Sequence, residues 1–182
     1  DGENRNGRHK VLWSLVVLCR LLVFPVRLRH CRPLRFGREA LLLFQELCDY
    51  AKEKNVHICF ENLEPLPHID AVMDYIKDPF HGFCWDCGHN LCYSPHIDMI
   101  KKFGSRLKCL HIHDNLGVTQ PGNIDYRDDR HYLPFDGTLD WNWFVEKLSV
   151  LNYTGPITLE VSILGKSEYQ NLSRSEEHTS EL

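Results

Sequence analysis

A chain of 182 residues has the length of one domain, and with 43% hydrophobic residues it can bury a core. A formal net charge of -4 offers no basic face for nucleic acid, and 25% charged residues is ordinary for a soluble protein. Eight cysteines are spread through apolar segments such as VHICFEN and LKCLHIH, which predicts reduced thiols and a cytoplasmic location rather than a secreted disulfide scaffold.

Residues 1–35 differ from the rest. Apolar runs alternate with arginines without a helical period, and Arg20 and Pro25 interrupt any stretch near the ~18 apolar residues that a membrane span needs. No membrane partner is expected, and the segment reads as an anomalous leader, not native sequence. Residues 174–182, RSEEHTSEL, resemble the translation of a sequencing adapter. The interpretable domain is therefore 36–173.

Within it, REALLLFQELCDYAKEKN places Ala40, Leu43, Phe44, Leu47, Cys48 and Ala51 on one face, predicting a helix that stops near Asn55. VHICFEN follows as a strand ending at Glu61. HIDAVMDYIK is a second helix, and HGFCWDCGH a strand ending at Asp86. In SPHIDMIKKFG, Ser94 is a plausible N-cap with Pro95 at the first helical position, predicting a third helix. LKCLHIHDN is the next strand. Asp140 can cap WNWFVEKLSVL, with Trp141, Phe144, Leu148 and Leu151 on one stripe, and YTGPITLEV is a turn and a strand ending at Glu160. Four strands alternating with helices predict parallel pairing and an α/β fold. The Cys84–Cys87 pair in CWDC reads as structural rather than as a zinc or redox pair, because no second CxxC follows and Asp86 lies inside it.

The strand ends carry a numerical regularity. Asp86 lies 25 residues after Glu61, and His111 another 25 after Asp86; Glu160 follows His111 by 49, a unit lengthened by a polar loop holding Asp129 and His131. A metal-ligating residue type thus ends every strand, where α/β barrels gather their catalytic groups. Two glutamates, an aspartate and an imidazole form a mixed O/N set suited to Mn²⁺, Mg²⁺, Co²⁺ or Zn²⁺.

ICFEN, WDCGHN, LHIHDN, DxH followed by PFDGTLDW, and GPITLEV, in this order, resemble the second half of the xylose isomerase-like TIM barrels, which include sugar phosphate isomerases and epimerases and endonuclease IV. The resemblance covers roughly 38–161 and implies the last four βα units of a (β/α)8 barrel. It implies Glu61, Asp86, His111 and Glu160 as ligands of one divalent metal, with Glu61 and Glu160 as the catalytic pair that removes and returns a proton α to a sugar carbonyl. His89, His113, Asp129 and His131 are implied as substrate-binding residues or a second metal site. His113 lies two residues after His111 and so points to the same side of the strand. The implied partner is a small-molecule sugar, sugar phosphate or polyol. The alternative is an endonuclease IV-like enzyme with up to three zincs, drawing on Glu61, Asp86, His89, His111, Asp129, His131 and Glu160 together. A half-barrel exposes two sheet edges, so the chain is expected to behave as an inactive fragment, with homo-oligomerisation through those edges as an option.

Overall fold

The computed structural model of the protein describes residues 14–17, 37–63 and 66–162. Its centre is a single five-stranded sheet in the order β1 (Ser14–Val17), β2 (His57–Glu61), β3 (Gly82–Asp86), β4 (Leu107–Ile112) and β5 (Ile157–Leu159), every neighbouring pair parallel. The four strands expected from the sequence are β2 to β5. The fifth, β1, falls in the segment taken as a leader; its Leu-Val-Val run suits a strand, but its flanks carry none of the turn residues by which strands are recognised.

Helices α1 (Arg38–Glu53), α2 (Leu66–Tyr75), α3 (Cys87–Tyr93), α4 (Met99–Phe103) and α5 (Trp141–Leu151) connect the strands. Because side chains alternate across a strand, Ile58 and Phe60, Phe83 and Trp85, and Leu110 and Ile112 share one face. They form the main core with Phe44, Cys48 and Ala51 of α1, Ile69, Val72 and Met73 of α2, Met99, Ile100 and Phe103 of α4, and Trp141 and Phe144 of α5. The opposite face carries Cys59 and Glu61, Cys84 and Asp86, and Cys109 and His111. Polar residues therefore collect on one side of the sheet while the helices cover the other. Among the described residues no helix is long and apolar enough to cross a membrane.

Helix ends follow local chemistry. Asn55, just beyond α1, adopts a left-handed φ of 56°, which lets the chain leave the helix for β2. Asp140 caps α5 by accepting a hydrogen bond from Trp143 N at 3.0 Å, as its position predicts. Ser94 behaves otherwise. Asp86 caps a short helix that begins at Cys87, so Ser94 stands at the C-terminal end of α3, and Asp98 caps α4 by accepting from Lys101 N at 2.8 Å. Of the predicted α1 stripe, Phe44, Cys48 and Ala51 are buried, whereas Leu43 and Leu47 are exposed because the sheet-facing row runs through Leu41 instead.

Candidate functional site

The strand-end residues meet at one end of the sheet. Parallel register sets Asp86 opposite His111, and Glu61 opposite Cys84, so the 25-residue spacing becomes adjacency in space. Glu160 follows β5 directly, its backbone N–H bonded to the Ile112 carbonyl at 3.0 Å. One ligand atom each from Glu61, Asp86, His111 and Glu160 lies within 4.8 Å of the others. His111 Nδ1 is 2.8 Å from Glu160 Oε1 and 3.5 Å from Glu61 Oε1.

A second group adjoins the first. His89, His113, Asp129 and His131 likewise place one ligand atom each within 4.8 Å of the others. His89 joins the two groups: Nδ1 lies 3.0 Å from Glu61 Oε1 and 3.4 Å from Asp86 Oδ2, and Nε2 lies 3.3 Å from Asp129 Oδ2. His113 Nε2 is 2.9 Å from Asp86 Oδ1, and its ring stacks on that of His131 with centroids 3.9 Å apart. His131 Nε2 faces Asp129 at 3.1 Å while its Nδ1 donates to the Glu160 carbonyl at 2.7 Å. All eight residues singled out in the sequence therefore sit in one contiguous cluster.

Its electrostatics are those of alternating acids and imidazoles in a buried place. Burial opposes a charge on His89, but Asp86, Asp129 and Glu61 outweigh it and push the imidazole up to about 11. Burial likewise opposes His111, which Cys109, Glu160 and Glu61 push up to about 12. Asp129 is raised by burial yet held below the ordinary carboxylate range by His131 and His89. His111 lowers Glu160, and Asp86 ends below its usual value because His89 and His113 overcome its burial.

Glu61 tests whether a cation belongs here. The residue is fully buried, neither carboxylate oxygen has a partner in hydrogen-bond geometry, and the His89 and His111 imidazoles face Oε1 at 3.0 and 3.5 Å. An ionised carboxylate buried there costs several kcal/mol unless positive charge neutralises it; the protonated imidazoles supply that charge in the metal-free protein, and a cation could take their place. Three carboxylates and an imidazole around that point fit a divalent cation that accepts oxygen and nitrogen ligands.

Several residues that hold the site in place were not singled out in the sequence. Asn62 fixes the Asp86 backbone in both directions, accepting from its N–H and donating to its carbonyl at 2.8 Å each. Asp114 anchors the loop before α5: Oδ1 accepts from Leu139 N and Oδ2 from Trp141 Nε1, both at 3.0 Å, and its backbone pairs with Tyr132. Asn115 accepts from Arg130 N at 2.6 Å and so delivers Asp129 and His131 to the cluster. Trp141 accordingly serves both helix packing and the anchoring of that loop. Cys84, Cys109 and His111 form a third potential ligand group. Its signal was in the sequence, because Cys59, Cys84 and Cys109 repeat the same 25-residue interval two positions before Glu61, Asp86 and His111. Cys84 and Cys87 of the CxxC are both free, and the helix begins between them and turns Cys87 into the main core.

Known proteins supply the comparison. A curated relative, the uncharacterized protein y4fM of Sinorhizobium fredii (strain NBRC 101917 / NGR234), is 31% identical over 137 residues, which are 69% of this chain and 41% of the relative. The 3-keto-D-glucoside 4-epimerase YcjR of E. coli superposes with a TM-score of 0.69 at 17% identity, covering 92% of this chain and 63% of that one. A D-tagatose 3-epimerase-like protein gives 0.66 at 20% identity, covering 93% and 61%. The IolI protein, solved with a bound zinc atom, gives 0.64 at 18%, covering 90% and 58%. At such identities the structures speak for the fold, and this chain spans less than two thirds of each. The family profile described as xylose isomerase-like TIM barrel matches residues 19–177, taking in β2 to β5 and the whole polar cluster. With parallel strands, a ligand-type residue at each strand end and that match, the chain belongs to the xylose isomerase-like TIM barrel family.

Proposed function

We propose that this chain carries the metal-binding and proton-transferring residues of a divalent-metal-dependent isomerase or epimerase acting on a sugar, sugar phosphate or polyol. The observation that carries the reading is the placement of Glu61 and Glu160 on one imidazole nitrogen, at 3.5 and 2.8 Å from His111 Nδ1, with Asp86 in the same group. Epimerisation next to a carbonyl can be carried out by two acid–base groups at one centre, one to withdraw the α proton and one to return it, and a pair of carboxyls can fill both roles. Epimerases among the solved structures of the same fold are consistent with that chemistry.

Glu61, Asp86, His111 and Glu160 would hold the cation, taken from Mn²⁺, Mg²⁺, Co²⁺ and Zn²⁺, which when bound supplies an electrophile for the substrate's oxygens. Glu160 is ionised at neutral pH because His111 holds it low, so it is ready to accept a proton. Glu61 lies across His111 from it and completes the pair. After one transfer the two carboxyls have exchanged protonation states, and exchange with solvent restores them through Glu160, whose side chain is 32% exposed. His89, His113, Asp129 and His131 line the adjoining space and supply hydrogen-bond partners for substrate hydroxyls.

Substrate turnover by the intact protein in D₂O tests this. Deuterium should enter the carbon next to the carbonyl, and Glu61→Gln or Glu160→Gln should each lower turnover about 10²–10⁴-fold. Turnover without deuterium uptake would replace the proton-transfer route by a hydride shift. The second reading, an endonuclease IV-like nuclease, draws its support from the His89, His113, Asp129 and His131 group, which offers a further metal position beside the first. Three zincs per chain together with cleavage of abasic DNA would establish it in place of the isomerase.

A further inference from the structure

The thiols on the polar face of the sheet have no part in that chemistry. Cys59, Cys84 and Cys109 precede Glu61, Asp86 and His111 by two residues each, so they occupy the layer of the sheet next to those three. They pack on one another, none more than 3% exposed, and none is in a disulfide.

We propose that Cys84, Cys109 and His111 form a second metal position, selective for thiophilic divalent cations such as Zn²⁺ or Cd²⁺, which shares its imidazole with the oxygen-rich group. The two sulfurs and a nitrogen of His111 already lie within 4.8 Å of one another. Tetrahedral zinc with Zn–S bonds of about 2.3 Å sets two sulfurs about 3.8 Å apart, so closure needs the sulfurs to approach by at most about one ångström. Cys84 and Cys109 stand directly opposite in the β3–β4 register, which fixes both thiols on the paired strands instead of on a loop.

Charge favours the same occupant. Binding needs both sulfurs as thiolates and a neutral His111, so the protons held by the thiols and the imidazole leave to solvent as two metal–sulfur bonds and one metal–nitrogen bond form, and the two thiolates cancel the charge of the divalent ion in a place closed to water. Thiolate ligands discriminate against Mg²⁺ and Mn²⁺, which favour oxygen. The two positions therefore differ in the ions they select while drawing on one histidine. The inference does not depend on the isomerase reading, because the thiols, not the carboxylates, carry it.

Titration of the metal-free intact protein with Cd²⁺ tests the site. A sulfur-to-cadmium charge-transfer band should appear, and X-ray absorption should count two sulfurs around the bound ion. The Cys84→Ser/Cys109→Ser double variant should lose the band, whereas Glu61→Gln/Glu160→Gln, which dismantles the oxygen-rich group, should keep it. A shell with no sulfur, a shell of four sulfurs, or a band that survives in the double serine variant would overturn the proposal. The sulfur count on the unaltered chain decides the matter even where the double variant fails to fold.

Discussion

Gly88 has no side chain because the His113 ring occupies the space a Cβ would fill. That ring lies 2.9 Å from Asp86 and is stacked on His131, so a methyl at position 88 displaces a group on which both halves of the cluster lean. Gly88→Ala should cost about 1–3 kcal/mol by overpacking. It should also weaken divalent-metal binding about 10–100-fold, as loss of a residue that orients a ligand does. A thermal melt and a metal titration measure the two effects, and an unaltered affinity would show that His113 does not orient Asp86. At this scale the sequence was readable where spacing carried the information: Glu61, Asp86 and His111 stand one βα unit apart, and their convergence followed from the period. Asn62, Asp114 and Asn115 were not readable, since amide and carboxylate residues after a strand serve many local purposes and only the closed loop shows which backbone groups they hold. The cysteine period was visible too, but a thiol is equally a small apolar filler.

Elements show a similar division. The existence and order of β2 to β5 were legible as short apolar runs with turn residues between them, whereas β1 was not, and helix boundaries were not legible where two signals competed, as at Ser94, a good cap residue placed at the wrong end of a helix already started by Asp86. α2 was expected at 68–77 and runs Leu66–Tyr75, and its C-terminal end is closed by a residue distant in sequence. Arg106 donates to the carbonyls of Met73 at 3.0 Å and Ile76 at 2.7 Å, and to that of His81 at 3.3 Å. A cation at a helix C-terminus satisfies carbonyls that have no partner within the helix and opposes the negative end of its dipole. Arg106→Met keeps much of the aliphatic stem and removes the donors, so it should destabilise the fold by about 1–3 kcal/mol. Chemical denaturation reads that loss, and since Arg106 precedes β4 at the end of the strand opposite His111, metal affinity should stay unchanged.

Over the whole molecule the sheet separates two environments, an apolar core under the helices and a charged cluster on the other face, and the charged one makes stability depend on pH. In the metal-free protein His89 and His111 keep their protons up to about 11 and about 12, whereas an unfolded histidine releases its proton near ~6.5. Their stabilising contribution is complete below about pH 6.5 and drains away as pH rises toward the folded values. Asp86, Asp129 and Glu160 are held low, so their contribution is complete above the unfolded carboxylate range of about 4 and is lost as pH falls below it. Melting temperature measured in chelator should therefore peak between about pH 4.5 and 6.5 and decline on both sides. His89→Gln removes one of the two imidazoles raised furthest and also the partner that helps hold Asp86 and Asp129 low, so it should flatten both limbs; an alkaline limb of unchanged slope would show that the imidazole does not keep its proton in the fold. Saturating divalent metal reverses the alkaline trend, because ligand histidines must give up their protons to bind it, and the same series repeated with metal should shift the peak upward in pH.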